Sequence, residues 1–393
     1  MQTERYFPDY RGSSLVNLMS SILQATGGAS AYAPLSLLPP ESLAQSTNIV
    51  LLVLDGFGYE FLMRQAEQTV FHRHLAGKIT SIFPSTTAAG ITTFMTGLAP
   101  QQHAVTGWFM LLKELGCVAT TLKFQPRCCE ASLQRKGVTP PALYSNGTSI
   151  FAQMRRATYS VDLASLINTD YNSRMNDCPH RLAFSTFPEC LQQLGAIIAQ
   201  NHEPKFIYAY WDVIDALSHV YGARSIETVR HFYEISDALD AWLNQLCGQD
   251  TTLIITADHG LIDTDMAHTI QVEQHPALRE TLTLPMCGEA RVAFCYVRPS
   301  KTAQFEQYIQ REFSGICDLY RSEELIGKGL FGLFEADPRL FERIGDYAII
   351  MRSNYVIRDF LLGEKETFYV GYHGGLSAEE MFVPLVVIRC QTL

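Results

Sequence analysis

Three stretches of this sequence run an apolar segment directly into groups that ligate metals. Asn48-Ile-Val-Leu-Leu-Val-Leu-Asp55-Gly-Phe-Gly58 sets a carboxylate and two glycines behind six consecutive apolar residues. About two hundred residues later, Thr252-Leu-Ile-Ile-Thr-Ala-Asp258-His259-Gly260 repeats the design. A third segment, Phe206-Ile-Tyr-Ala-Tyr-Trp-Asp-Val-Ile-Asp215-Ala-Leu-Ser-His219, carries Asp215 and His219 four positions apart, on one face of any helix they share. Asp55 alone reads equally well as a helix N-cap. The second acidic strand end favours a site, and oxygen and nitrogen ligands converging this way suit a divalent ion of the zinc type.

A hydroxyl-rich turn supplies a different chemistry. In Lys78-Ile-Thr-Ser-Ile-Phe83-Pro84-Ser85-Thr86-Thr87-Ala88-Ala-Gly90 the pattern is a strand, a turn and then a helix that Gly97 ends. Ser85, Thr86 and Thr87 stand at the helix N-terminus, where free N–H groups attract anions. A free threonine at neutral pH is a poor nucleophile, whereas a hydroxyl beside a metal ion can lose its proton and attack phosphorus. Near the end of the chain, His373 precedes two glycines that let backbone approach a ligand closely. Trp108, Phe109 and Tyr171 could line a pocket, although such aromatics more often pack.

The elements that must position these groups follow from patterning. Short apolar runs without polar alternation predict strands at the centre of a parallel sheet covered on both faces, and ligands gather at the carboxyl ends of such strands. Helices are predicted over Ser14–Ala25, Tyr59–Leu75, Ser149–Ala157, Pro188–Gln200 and Ser225–Cys247. Beyond His259 the pattern changes: a polar segment, a strand over Arg291–Val297 and a helix over Thr302–Phe313 predict a smaller α+β insert. The expected division is a core of residues 1–263 and 365–393, with the insert at 264–364. No repeat or low-complexity tract appears.

Composition narrows the function. With 393 residues, 47% hydrophobic and 18% charged, the chain can bury a large core. Its formal charge of −10 and the lack of a Lys/Arg cluster argue against a nucleic-acid polymer or an anionic membrane as partner. A small anionic substrate remains compatible if metals bring the positive charge. The amino terminus lacks a basic segment followed by an apolar core, and no window reaches the length of a membrane span. Ten scattered cysteines without a Cys-x-x-Cys pair read as reduced thiols, so a cytoplasmic location is expected.

Taken together, strand-Asp55-Gly, Phe83-Pro84-Ser85-Thr86-Thr87 with Thr96-Gly97 downstream, Asp215-x-x-x-His219, Ala-Asp258-His259-Gly and His373-Gly resemble the alkaline phosphatase superfamily, within it the nucleotide pyrophosphatase/phosphodiesterase-like branch. The resemblance runs from about Ile49 to Val387. It implies an α/β fold with a central mostly parallel sheet sandwiched by helices, and two Zn(2+) ions per chain, with Mn(2+) as the alternative. Asp55, Thr87, Asp258 and His259 would hold one ion, and Asp215, His219 and His373 the other. Thr87 would be the nucleophile of a phosphothreonine mechanism, with Thr86 as runner-up.

Two departures bear on the substrate. Where nucleotide-cleaving relatives have an aromatic residue after the nucleophile this chain has Ala88, and the position of their downstream asparagine falls near Trp108. A phosphomonoesterase or phosphomutase of the superfamily is the main rival. No lysine or arginine occurs from Thr80 to Val105, which favours a diester or pyrophosphate over a doubly charged monoester. Trp108 and Phe109 offer an apolar surface for the leaving group. A sulfatase would need Cys-x-Pro-x-Arg or its serine form at the turn, and a non-catalytic binding protein would be free to lose ligands that are all retained here.

Overall fold

The computed structural model describes residues 4–145, 149–246 and 249–390. The apolar runs form the middle of a seven-stranded sheet, in spatial order Leu75–Thr80, Phe382–Cys390, Thr251–Thr256, Asn48–Leu54, Lys205–Trp211, Ala157–Leu163 and His180–Phe184. Phe382–Cys390 pairs antiparallel with both neighbours, and the other pairings are parallel. Every residue of Asn48–Leu54 is buried, as a strand covered on both faces requires. Leu15–Ala25, Phe187–Ala199 and Ile226–Leu243 are among the helices that pack on this sheet.

Register is what matters for the site. Val53 lies opposite Tyr210 on one side and Thr256 on the other, so the three strands end level. Asp55, Asp258 and the helix carrying Asp215 therefore leave the same edge. Glycines behind the acids let these turns meet: a Cβ on Gly260 would lie 2.7 Å from the Gly58 Cα and 2.1 Å from the Glu379 carbonyl oxygen.

Several predicted helices are shorter than expected. The Tyr59–Leu75 segment divides into Tyr59–Leu62 and Val70–Arg73, because Thr69 starts a new helix by accepting from the His72 amide, and Leu75 already belongs to a strand. Within Ser149–Ala157 only Ile150–Gln153 is helical; Ala157 opens a strand whose pairing with Lys205–Trp211 overrides local propensity. The helix expected over Ser225–Cys247 spans Ile226–Leu243, and Cys247 lies outside the described residues. Among the described residues, no helix is long and apolar enough to cross a membrane.

A second seven-stranded sheet, antiparallel throughout, runs Cys317–Arg321, Tyr347–Met351, Val292–Cys295, Cys287–Gly288, Phe109–Leu112, Cys117–Thr120 and Gln125–Pro126. The 264–364 segment supplies four of these strands; the other three come from residues 109–126, joined where Phe109 pairs with Gly288. In the strand Tyr347–Met351 both faces are buried, with period two. Tyr347, Ile349 and Met351 pack in a cluster with Phe305 and Ile309, while Ala348 and Ile350 join a different cluster. The latter contains Phe83, Ala104, Leu376 and Met381, so one face of this sheet rests on the segments that flank the hydroxyl turn and His373.

A buried ion pair locks the two parts together. Arg291 donates from Nε and Nη2 to the two carboxylate oxygens of Glu380, at 3.0 and 2.9 Å, with both side chains essentially solvent-free. Glu380 also accepts from the Gly375 amide at 2.7 Å, within the loop that follows His373. Burial pushes this carboxyl up, but Arg291 and its hydrogen bonds hold it below its ordinary value of 4.5. Its stabilising contribution is therefore complete above about pH 4.5 and is lost as pH falls through the lower, folded-state value. Glu380→Ala leaves the guanidinium buried and unpaired, and is expected to cost about 3–5 kcal/mol in urea unfolding at neutral pH. A loss under about 1 kcal/mol would show the pair to be dispensable.

Candidate metal centre

Seven side chains singled out from sequence meet at the level edge of the central sheet. Asp55 and Asp258 follow their strands directly, and Asp215 and His219 share the helix Val213–Tyr221, which puts them on one face. The ligand atoms of Asp55, Asp258 and His259 lie within 4.8 Å of one another, as do those of Asp215, His259 and His373, so either group could hold a metal ion. His219 stands one contact further out, its Nε2 3.3 Å from Asp215 Oδ2 and its ring 5.2 Å from that of His373.

Backbone carbonyls engage the Nδ1 atoms of the imidazoles and turn their Nε2 atoms toward the cluster. Nδ1 of His219 faces the Gly371 carbonyl at 2.8 Å, Nδ1 of His259 the Gly260 carbonyl at 3.2 Å, and Nδ1 of His373 the Ser85 carbonyl at 3.3 Å. Donation from Nδ1 fixes the tautomer in which Nε2 carries the lone pair, the usual support for an imidazole ligand. Asp258 Oδ1 accepts from the amides of Gly56 and His259 at 3.3 and 3.0 Å, and the Tyr210 hydroxyl donates to Asp55 Oδ2. Asp55 Oδ1, Asp215 Oδ1 and Asp258 Oδ2 are buried and have no hydrogen-bond partner among the described residues. Buried carboxylate oxygens without donors are costly, and cations are what such oxygens fit.

Charge in the cluster is correspondingly unbalanced. Burial, then the nearby Asp258 and Asp215, raise the Asp55 carboxyl well above its ordinary value. Burial also raises Asp258, against the pull of His259. Asp215 goes the other way: burial opposes its ionisation, yet His219, His373 and His259 hold it low. His373 is lowered well below the usual imidazole range by burial and by the neighbouring His259, whose ring stacks on it at 3.8 Å.

Thr87 and Thr86 have different surroundings. Thr87 is the first residue of the helix Thr87–Thr96, and its hydroxyl lies 3.0 Å from His259 Nε2. Thr86 is the N-cap, nearly fully buried, and its hydroxyl donates to the Glu289 carboxylate at 2.5 Å. Gly90 brings this helix against the acidic strand end, since a Cβ there would sit 2.7 Å from the Asp258 Cβ. The expected pocket aromatics are divided. The Trp108 amide donates to Glu289 at 2.6 Å, at the edge of the site, whereas the Phe109 ring lies against the Arg127 guanidinium at 4.0 Å. Tyr171 is core, hydrogen-bonded to Thr92.

Two residues near the cluster escaped sequence reading. Tyr210 looks like one more strand aromatic, and only its register opposite Val53 brings the hydroxyl to Asp55. Glu289 sits in the turn between two strands of the second sheet and carries no motif. Burial raises its carboxyl to about 7, against the hydrogen bonds from Thr86 and Trp108.

A hydroxyl at a helix N-terminus thus stands beside carboxylates and imidazoles on the carboxyl edge of a mostly parallel sheet, a set of groups able to take an anion and cations together. The chain belongs to the type I phosphodiesterase / nucleotide pyrophosphatase family, whose model matches residues 49–376. Among solved structures it is similar to murine ectonucleotide pyrophosphatase/phosphodiesterase 5, with 16% identity, 87% of each chain covered and a TM-score of 0.65. An inactive threonine-to-alanine form of that murine protein, in complex with AMP, matches at 16% identity over 88% of this chain and 89% of that one, TM-score 0.66. The human counterpart matches at 17% identity over 87% of each chain, TM-score 0.66. No curated protein matches the sequence.

The crowding of carboxylates makes a signed expectation for stability. Asp258→Asn keeps the oxygen that accepts from Gly56 and His259 and removes a charge beside Asp55. In chelator the variant is expected to be more stable than wild type, by on the order of 1 kcal/mol, with a correspondingly higher unfolding temperature. With saturating zinc the order should reverse. A variant less stable under both conditions would mean that repulsion among these groups is not significant.

Proposed function

We propose that this protein hydrolyses small phosphodiesters or pyrophosphates through a phosphothreonine at Thr87. The observation that carries the reading is the Thr87 hydroxyl, 3.0 Å from His259 at the start of a ten-residue helix and beside buried carboxylate oxygens that lack donors. Thr87 is half-buried and open to substrate, while the Thr86 hydroxyl is committed to Glu289.

Asp55, Asp258 and His259 with Thr87 would hold one divalent ion, and Asp215, His219 and His373 a second. Zinc bound there would supply Lewis acidity, favouring the threonine alkoxide and neutralising the oxygen that departs. The chain itself orients the reaction. Amides of the first helical turn precede the first ladder bond, from Gly90 to Thr86, and are available to phosphate oxygens. Thr87 Oγ1 gives up its proton to solvent and attacks phosphorus, and a P–O bond to threonine forms as the bond to the leaving group breaks. The departing oxygen takes a proton from solvent, and water then displaces the threonine, with one proton of the water returning to Oγ1. Asp55 is kept in place by Tyr210, and Asp258 by two backbone amides.

Preference for a diester is in keeping with the ion pairs that three basic groups of the second sheet's segments already make. Arg127 is bound to Glu364 and Asp359 at 2.8 and 2.9 Å, Arg291 to Glu380, and Lys113 to Glu342. None of these three offers a free cation to a second phosphate charge. On one zinc-loaded preparation, bis-(nitrophenyl) phosphate is expected to show a higher kcat/KM than nitrophenyl phosphate, and Thr87→Ala to lose at least about a thousandfold of that activity while still binding metal. A clear monoester preference would move the protein to the phosphatase branch. Near-normal turnover by Thr87→Ala, with loss in Thr86→Ala, would transfer the nucleophile to Thr86.

A further inference from the structure

The second sheet delivers one carboxylate to the catalytic turn. Glu289 occupies the tight connection between Cys287–Gly288 and Val292–Cys295, closed by reciprocal backbone hydrogen bonds with Val292 at 2.8 and 3.1 Å. Its Oε1 accepts from both the Thr86 hydroxyl and the Trp108 amide, at 2.5 and 2.6 Å. On the other side it presses on the loop after His373: a Cβ at Gly374 would lie 2.8 Å from the Glu289 Cβ, a distance only glycine permits. The turn cannot easily withdraw. Two residues on, Arg291 is clamped by Glu380, and Gly288 takes a φ of +83° that favours glycine.

Such a group has an electrostatic consequence for the substrate. A phosphodiester brings one negative charge to the nucleophile; a phosphomonoester above neutral pH brings nearly two. A fixed carboxylate hydrogen-bonded to the residue before the nucleophile repels the second charge at short range once it is ionised, which, with burial raising it to about 7, means above neutral pH. We propose that Glu289 is a specificity-determining residue, whose carboxylate penalises doubly charged phosphomonoesters and reserves the site for singly charged diesters. This rests on the phosphodiesterase reading and adds to it. Discrimination comes from a built-in repulsion as well as from a missing arginine, and it is supplied by the second sheet.

Glu289→Gln is the informative variant, because its amide oxygen can still accept from Thr86 and Trp108 while the charge is gone. Zinc-loaded full-length wild type, E289Q, E289D and E289A, matched for metal content and folding, would be assayed at about pH 8.5 with bis-(nitrophenyl) phosphate and nitrophenyl phosphate. In E289Q the diester-to-monoester ratio of kcat/KM is expected to fall about tenfold or more, chiefly through a lower KM for the monoester. E289D should keep most of the wild-type ratio. A ratio within about twofold of wild type in E289Q, with a change only in E289A, would overturn charge selection and leave Glu289 a positioning residue. If wild type cleaves neither ester, the phosphodiesterase reading fails and this inference with it. A wild type that prefers the diester and an unmoved E289Q ratio would sink the inference alone.

Discussion

Three carboxylates, buried Asp55 and Asp258 and half-buried Asp215, stand at the end of one sheet with a buried oxygen apiece that no described donor satisfies. In a low-dielectric setting that arrangement is expensive, and side-chain histidines offset only part of it, since burial and mutual repulsion keep His373 from carrying charge. The rest of the molecule holds these groups together. Level strand ends fix the two aspartates, a helical turn fixes Asp215 and His219, and backbone carbonyls fix the three imidazoles. Gly58, Gly260 and Gly90 remove the side chains that would keep these turns and the Thr87 helix apart.

The second sheet is more than an appendage. Its face against Phe83, Ala104, Leu376 and Met381 buries the approaches to the hydroxyl turn and to His373, and the Arg291–Glu380 pair ties a turn of that sheet to the loop bearing His373. Fold stability and site geometry thus share parts. The same short connection that holds Arg291 in the core holds Glu289 against the hydroxyl turn, so the rigidity of one implies the position of the other.

Much of this was legible in the chain. Unalternating apolar runs identify central strands because a parallel sheet covered on both faces tolerates no polar side, and an acid behind such a run can only emerge at the sheet edge. Asp55, Asp258 and His259 stand out that way, whereas Thr87 and His373 take their assignment from the resemblance of the whole set of motifs. Local patterning was weaker where tertiary pairing decides: Ala157 extends a strand because Lys205–Trp211 lies beside it, and Leu75 does so because Phe382–Cys390 does. Strands over residues 109–126 gave no sign that they would pair with Cys287–Gly288, because antiparallel partners about 180 residues apart leave no mark in either segment. Glu289 was invisible for the same reason. Its role comes from that pairing and from a turn of four residues, and its type and neighbours in sequence are unremarked.

The central claim is that this cluster is built around two cations, and it is tested most directly by adding zinc to chelator-stripped protein while following both bound metal and the thermal unfolding midpoint. The expected result is a midpoint that climbs steeply and stops at two equivalents per chain. A midpoint that does not respond to zinc, or saturation at a single equivalent, would contradict it.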